Sequence, residues 1–160
     1  MGVSGCGKST VGQALAARLG CPFYDGDAFH PPANVAKMAA GEPLTDADRA
    51  PWLDRLADLI AESLARGETA VVACSALKKA YRDHLRVSGR VQFVYLHGEF
   101  DLIWRRMQAR QGHYMKADML RSQFAALEAP AAAEAWRIGV DTAVDEIVDE
   151  ILGRRNAETR

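Results

Sequence analysis

Hydrophobic residues recur at helical spacing in several segments of the chain. Val11, Ala14, Leu15 and Leu19 share one face of a segment that runs from Lys8 and is stopped by Gly20, which predicts a helix over residues 8–19. A second apolar stripe consists of Leu53, Leu56, Ala57, Ile60 and Leu64. It predicts a long helix that begins near Pro51, after the candidate caps Thr45 and Asp48, and ends at Gly67. Further helices are predicted over residues 78–87, 100–110, 117–127 and 144–152.

Short apolar runs alternate with these helices. They predict four strands, over residues 23–27, 69–74, 91–96 and 136–140. Strands that alternate with helices form βαβ units, whose strands are parallel and whose helices cover both faces of the sheet. The sequence therefore predicts an α/β fold with three layers, α/β/α, in one domain over residues 1–160.

Composition narrows the class of protein. The 160 residues carry 20 Lys and Arg against 21 Asp and Glu, a formal net charge of -1, so nothing attracts a nucleic acid electrostatically. No apolar run reaches the roughly 18 residues of a membrane span. The three cysteines are an odd number without metal-ligand spacing, which favours a reducing compartment. We expect a cytoplasmic protein with no membrane or nucleic-acid partner.

The strongest motif stands at the start of the chain. Residues 2–9 fit the pattern G-x-x-x-x-G-K-[ST], in which backbone N–H groups cradle phosphates, Lys8 reaches the β- and γ-phosphates and Ser9 binds Mg²⁺. The alternative is a glycine-rich turn that only caps the following helix. Such a loop normally leaves a buried central strand, yet only Met1 precedes Gly2. We therefore expect the first strand of the sheet to be missing or truncated.

In P-loop proteins an aspartate at the end of a buried strand usually helps to hold Mg²⁺, and this chain has no aspartate at that position. The apolar run over residues 69–74 continues into Ser75 rather than an aspartate, so Asp25 and Asp27 are the candidates. In an extended segment two residues separated by one point to the same side, and Gly26 would leave room for a ligand. One carboxylate could hold Mg²⁺ through water while the other accepts a hydrogen bond from an attacking hydroxyl. The alternative is an ordinary Asp/Gly turn.

Two arginines stand one helical turn apart before a polar break. Arg106 and Arg110 share a helix face, and residues 111–113 suit a mobile lid over about residues 110–118. Arginine offers a planar surface for adenine and donors for phosphoryl charge, although a solvated charged face is the usual explanation of such pairs. A guanine-reading N-K-x-D motif is absent from the sequence, which disfavours a GTPase.

Five blocks in this order closely resemble the gluconate kinases. They are the phosphate loop, DGDAFHPPANVAKMAAGEPLTDADRAPWL (25–53), CSALKKAYRDHLR (74–86), RMQARQGHYM (106–115) and SQFAALEAP (122–130). The resemblance implies a P-loop kinase fold of the shikimate and nucleoside-monophosphate kinase type. It also implies transfer of the γ-phosphoryl group of ATP to the 6-hydroxyl of D-gluconate by a cytoplasmic homodimer, with Mg²⁺ as the metal.

The resemblance also assigns site residues. Those implied to bind ATP phosphates and Mg²⁺ are Gly2, Val3, Ser4, Gly5, Cys6, Gly7, Lys8, Ser9 and Thr10. Ser9 and Asp25 would lie at the metal, and Asp27 at the acceptor hydroxyl. Arg106 would stack on adenine and Arg110 would face the phosphates, so Lys8, Asp27 and Arg110 would carry the catalysis.

An anionic polyol such as gluconate needs a cation for its carboxylate and polar groups for its hydroxyls. We expect the substrate-binding helical segment over about residues 28–66. Our hypothesis is that Arg49 and either Lys78 or Arg82 hold the carboxylate, while His30 and Asp27 address hydroxyls. In the alternative, Arg49 only pairs an aspartate, Lys78 and Arg82 form a solvated face, and His30 caps a helix.

Two other functions remain open from the sequence. One is a related kinase that acts on shikimate or a nucleoside monophosphate, of which shikimate kinases are disfavoured because a Gly-Gly-Gly substrate loop is absent. The other is a nucleotide-binding protein that is inactive because its start is truncated.

Overall fold

The computed structural model describes residues 1–109 and 117–158. Its strands are β1 (Phe23–Asp25), β2 (Val71–Ala73), β3 (Phe93–His97) and β4 (Ala135–Gly139). Its helices are α1 (Lys8–Leu19), α2 (Pro32–Ala39), α3 (Asp46–Ala65), α4 (Lys79–Leu85), α5 (Phe100–Ala109), α6 (Ala117–Ala126) and α7 (Val144–Glu158). A 3₁₀-helix over Gly26–Phe29 follows β1. The predicted alternation of strands and helices is confirmed, while Arg110 and most of the predicted lid lie outside the described residues.

The strands form two parallel pairs rather than one continuous sheet. β1 pairs with β2, from Phe23 opposite Val71 to Asp25 opposite Ala73, and β3 pairs with β4 along its whole length. The start of the chain lies beside β3: the Met1 amino group donates to the Val94 carbonyl, and the Leu96 N–H donates to the Met1 carbonyl. The expectation that the first strand is missing or truncated stays a prediction.

Helices cover both faces of these strand pairs. On one face α1 packs against α7, and Val11, Leu15, Ile147 and Ile151 join the apolar side chains of β3 and β4 in one core cluster. On the other face α3 packs against α4, where Trp52, Leu56 and Tyr81 are buried with Cys74 and Phe93. The α/β/α layering is as expected. No helix in residues 1–109 or 117–158 is long and apolar enough to cross a membrane.

The long helix α3 begins five residues earlier than the sequence predicts. The Thr45 side chain accepts a hydrogen bond from the Asp48 N–H, and the Asp48 carboxylate accepts one from the Thr45 N–H, so the capping box starts the helix at Asp46. Pro51 is thus inside the helix. A proline this close to the start removes only one backbone hydrogen bond, which the long apolar face of α3 outweighs.

Candidate active site

The phosphate loop turns on glycines and opens directly into α1. Gly2, Gly5 and Gly7 all have positive φ, and a Cβ on Gly5 would lie 2.5 Å from the Met107 side chain. Gly7 caps α1 without any side-chain hydrogen bond to the helix. The first N–H groups of α1 therefore point toward the loop and can bind an anion, as the sequence predicts.

Lys8 lies over this loop. Its ammonium donates to the Val3 carbonyl at 2.9 Å, which folds the side chain back across the turn. The Ser4 N–H donates to the Gln123 side-chain oxygen at 2.6 Å, so α6 also touches the loop. Sequence reasoning missed Gln123, because a glutamine on an exposed-looking helix carries no pattern of its own.

A hydroxyl and two aspartates meet beside the start of α1. The Ser9 hydroxyl donates to Asp25 Oδ2 at 2.9 Å, and the other oxygen of Asp25 accepts the Asp27 N–H at 3.1 Å. The predicted strand over residues 23–27 is wrong in its second half, because Asp25 caps a 3₁₀-helix that contains Asp27. The two carboxylates are therefore neighbours through a cap and not through strand alternation.

Gly26 has a different role from the predicted one. A Cβ there would lie 2.5 Å from the Ala73 carbonyl oxygen, and the Gly26 carbonyl accepts the indole N–H of Trp52 at 2.7 Å. The residue is a glycine because β2 packs against it. It does not leave room for a ligand.

The Ser9 hydroxyl and the Asp25 carboxylate supply oxygen ligands of the kind that Mg²⁺ prefers. Within the described part of the chain, no cluster of three or more His, Cys, Asp or Glu residues could hold a metal. Ser9 and Asp25 are therefore the residues that would hold a Mg²⁺ ion, with few protein ligands, as is usual for Mg²⁺ in phosphoryl-transfer sites.

His30 is a buried ring next to this site. It stacks on Trp52 with ring centroids 4.4 Å apart, and its Nδ1 lies 3.3 Å from the Asn34 side-chain nitrogen. Burial lowers the pKa of His30, and the positive charge of Arg49 lowers it further while Asp27 opposes the shift. The ring is therefore neutral near pH 7 and can donate or accept one hydrogen bond. It does not cap α2 by its side chain; its partner there is the amide of Asn34.

A charged cluster joins the first turns of α3 and α4. The Lys78 ammonium donates to Asp46 at 2.8 Å, and the Tyr81 hydroxyl donates to the same carboxylate in a short hydrogen bond. Both hydrogen bonds lower the pKa of Asp46. The Arg49 guanidinium lies 6.0 Å from the Tyr81 ring centroid. The sequence pattern missed Tyr81, although it follows Lys78 at the i, i+3 spacing that places both on one helix face.

Arg49 makes no salt bridge within the described residues, where Asp46 pairs with Lys78 at 2.8 Å and Asp48 with Lys37 at 2.9 Å, although its charge helps to lower the pKa of Asp46. Both the role of Arg49 as a carboxylate ligand and the alternative in which it only pairs an aspartate stay predictions. Arg49 is a half-buried cation beside His30, which is the arrangement expected for an anion site.

Arg82 lies apart from this cluster. Its side chain is 1% exposed and donates to Glu134 at 2.5 Å and to the carbonyls of Ala76 and Leu77 at 3.1 Å. Because all these partners belong to the protein and the side chain is buried, Arg82 does not lie on a solvent-exposed helix face. The predicted choice between Lys78 and Arg82 as a carboxylate ligand stays a prediction, and the geometry favours Lys78.

The other predicted residues can be placed briefly. Cys6 is buried under the loop at 1% exposure, as a small filler would be, and Val3 is buried beside it. Thr10 is exposed on α1, and Arg106 is half-buried in the last turn of α5. The Arg106 and Arg110 pair is not tested, since Arg110 lies outside the described residues.

The chain is similar to known kinases over nearly its whole length. The shikimate kinase family model matches residues 4–154. The gluconokinase of Gluconobacter oxydans is 46% identical over 160 residues, which cover 99% of this chain and 90% of that protein. The thermoresistant gluconokinase of Escherichia coli is 47% identical and aligns over 95% of this chain and 86% of its own length. A crystal structure of a gluconokinase from Sinorhizobium meliloti superposes with a TM-score of 0.88 at 46% identity, covering 99% of this chain and 91% of that one. The chain therefore belongs to the shikimate kinase family of P-loop kinases and, within it, to the gluconokinases.

Proposed function

We propose that this chain transfers the γ-phosphoryl group of MgATP to the 6-hydroxyl of D-gluconate. One observation carries the proposal: His30 lies within electrostatic reach of both Asp27, beside the phosphate loop, and Arg49, a cation without a salt bridge among the described residues. The charges of both residues act on the pKa of His30, which Asp27 raises and Arg49 lowers. A substrate with a hydroxyl at one end and a carboxylate at the other fits this polarity.

The nucleotide side of the site would use the loop of residues 2–10. The Lys8 ammonium exchanges the Val3 carbonyl for phosphate oxygens, which are stronger acceptors because they are charged. The N–H groups at the start of α1 bind the same phosphates. Arg106 and Arg110 remain the proposed contacts to adenine and to the transferred phosphoryl group.

The acceptor side would use Asp27, His30, Arg49 and Lys78. Asp27 is exposed at the start of the 3₁₀-helix, where its carboxylate can accept the hydrogen bond of an attacking hydroxyl. Arg49 and Lys78 are proposed to bind the carboxylate at the far end. Lys78 donates to Asp46, and a substrate carboxylate would share that ammonium, since an ammonium has three donors.

Phosphoryl transfer passes through a loose transition state, so these residues position the groups and stabilise charge rather than form covalent bonds. Bound Mg²⁺ supplies neutralisation of the phosphate oxygens, and Ser9 with Asp25 would hold it. Asp27 orients the hydroxyl in line with the phosphoryl group and takes its proton as the new bond forms. Lys8 stabilises the negative charge that the leaving phosphate gains.

Several features of this proposal concern the chain as a whole. We propose one domain, a substrate-binding segment over about residues 28–66, a lid over about residues 110–118, a homodimer and a cytoplasmic location. They rest on the resemblance of the sequence blocks to the gluconate kinases.

The test is coupled ADP release by the purified chain with MgATP and one acceptor at a time. The acceptors are D-gluconate, shikimate, D-glucose, AMP and none. Turnover with D-gluconate alone supports the proposal. Turnover with shikimate or AMP reassigns the substrate, and nucleotide binding without ADP release for any acceptor indicates a binding protein that does not turn over.

A further inference from the structure

A side chain of α6 binds one backbone N–H group of the phosphate loop. The Ser4 N–H donates to the Gln123 side-chain oxygen at 2.6 Å, although the two residues are 119 positions apart in the sequence. The Gly2 N–H and the Cys6 N–H of the same loop donate to backbone carbonyls instead. Within the described part of the chain, Gln123 is thus the one side chain that accepts a hydrogen bond from the backbone of this loop.

The helix that carries Gln123 is fixed against the core. Leu120 of α6 is fully buried in the core cluster that also contains Val3 of the loop. The Phe124 ring packs edge-on against Phe100 of α5, with the ring centroids 5.6 Å apart. Gln123 follows Leu120 by three residues, so both side chains lie on the same face of α6. The packing of α6 therefore fixes the Gln123 amide beside the loop.

The chain that follows α6 is fixed as well. The Glu128 N–H donates to the Leu77 carbonyl at 2.9 Å, and the Glu128 carboxylate accepts the Lys79 N–H at 2.6 Å. Lys79 is the first residue of α4, and the Lys78 side chain does not cap that helix, so Glu128 satisfies an N–H group that the helix itself leaves unpaired. Gln123 thus belongs to a segment that is bound to the phosphate loop at one end and to the start of α4 at the other.

The shape of the loop depends on contacts of this kind. The loop turns on three glycines with positive φ, and glycine has more accessible conformations than any other residue. The Lys8 ammonium donates to the Val3 carbonyl at 2.9 Å, but the proposed function gives up that bond when Lys8 turns to the phosphates. Ser4 is the next residue after Val3, and its hydrogen bond to Gln123 does not involve Lys8. Gln123 can therefore hold this part of the loop while Lys8 binds the nucleotide.

We propose that Gln123 is a positioning residue for the nucleotide. Its amide oxygen keeps the Ser4 N–H with the nucleotide bound as well as without it, and so holds the loop in the shape that binds the phosphates of ATP. This inference rests on the proposed role of residues 2–10 in nucleotide binding. A loop that adopts the competent shape for only a fraction of the time binds its ligand more weakly by that fraction. Loss of the hydrogen bond from Ser4 to Gln123 therefore weakens nucleotide binding.

The experiment compares variants of the full chain at two neighbouring positions of α6. Gln123→Met keeps the length and the apolar stem of the side chain but removes the acceptor oxygen, and Gln123→Glu restores an acceptor. Ser122→Ala is the matched control, because Ser122 is exposed and its hydroxyl donates to the Met119 carbonyl of the same helix. The readouts are hydrogen exchange at the Ser4 amide, the dissociation constant of a non-hydrolysable ATP analogue with Mg²⁺, and the midpoint of urea unfolding.

In Gln123→Met we expect the Ser4 amide to exchange at least about tenfold faster than in the wild type, both with and without the analogue, because an amide without its acceptor is no longer protected. The dissociation constant of the analogue should rise about fivefold, which corresponds to one neutral hydrogen bond. Gln123→Glu should regain protection of the Ser4 amide. The unfolding midpoint of Gln123→Met should equal that of Ser122→Ala.

Three results would overturn the proposal. If the analogue restores protection of the Ser4 amide in Gln123→Met, the phosphates and not Gln123 hold that N–H in the bound state. An unchanged dissociation constant would show that the loop keeps its shape without Gln123. A dissociation constant that rises only together with a lower unfolding midpoint would show a general loss of structure. None of the readouts needs turnover, so nucleotide binding without phosphorylation of gluconate would refute the proposed function and leave this inference standing.

Discussion

Replacement of Arg82 by methionine tests whether this buried cation supports the fold or the substrate. Its side chain is 1% exposed and that of its partner Glu134 is 17% exposed, and the guanidinium also satisfies the carbonyls of Ala76 and Leu77. Arg82→Met keeps the apolar stem but leaves one carboxylate and two carbonyls without this donor. Breaking a buried ion pair from one side costs about 3–5 kcal/mol. Because Glu134 retains some exposure, we expect about 3 kcal/mol, a large part of the 5–15 kcal/mol typical of a whole domain.

The assay is urea unfolding at pH 7, followed by circular dichroism, with Arg154→Met as the matched control. Arg154 pairs with Glu150 one turn away on α7, and both side chains are over 40% exposed, so this control should lose no more than about 0.5 kcal/mol. A loss below about 1 kcal/mol for Arg82→Met, together with a raised KM for gluconate, would refute the structural role and return Arg82 to the substrate.

The same pair predicts how stability depends on pH. The hydrogen bond from Arg82 holds the pKa of Glu134 below its usual range. A carboxyl group with a lowered pKa in the folded protein stabilises it above its unfolded pKa, and this contribution is lost as the pH falls through the folded value. The difference in unfolding free energy between the wild type and Arg82→Met should therefore be largest above about pH 5 and shrink in more acidic solution. A difference that grows toward acid would contradict this assignment.

Three further predictions concern the site. Lys8→Ala and Asp27→Asn should each lower kcat by at least about 100-fold in a folded protein, because each removes a charge or proton acceptor used in the transition state; near-normal kcat for either variant would remove that residue from the mechanism. Arg49→Ala should raise the KM for gluconate more than the KM for ATP in steady-state assays, and a selective ATP defect would reassign it. Gly26→Ala should lower the urea midpoint, since its Cβ would lie 2.5 Å from the Ala73 backbone oxygen, and an unchanged midpoint would show that β2 can move aside.

The sequence predicts the helices well where apolar spacing is regular. The bounds of α1 are confirmed at both ends because Gly7 and Gly20 are both in left-handed conformations that suit glycine. The sequence places the start of α3 near Pro51 because proline suits the first position of a helix, whereas the capping box of Thr45 and Asp48 starts the helix at Asp46. The short helix α2 lies within the predicted helical segment but has no stripe of its own.

The site was predictable in its residue types and less so in its contacts. Ser9 follows from the phosphate loop and Asp25 is one of the two aspartates proposed for the metal side, and the structure brings the Ser9 hydroxyl to 2.9 Å from the Asp25 carboxylate. The burial of Arg82 could not be predicted, because its partner Glu134 is 52 residues away in sequence. Tyr81 was missed for a related reason: its hydroxyl is engaged by Asp46, a contact that exists only once α3 and α4 are packed together.

The measurement that tests the central claim most directly is the proton-coupled ³¹P spectrum of the product formed from MgATP and D-gluconate. Transfer to the 6-hydroxyl places phosphorus on a CH₂ oxygen, so the account predicts a new phosphate ester signal split into a triplet by two equivalent couplings, together with stoichiometric ADP. A doublet would place the phosphate on a secondary hydroxyl and contradict the proposed acceptor position. The absence of any ester from a folded chain that binds ATP would contradict the kinase activity itself.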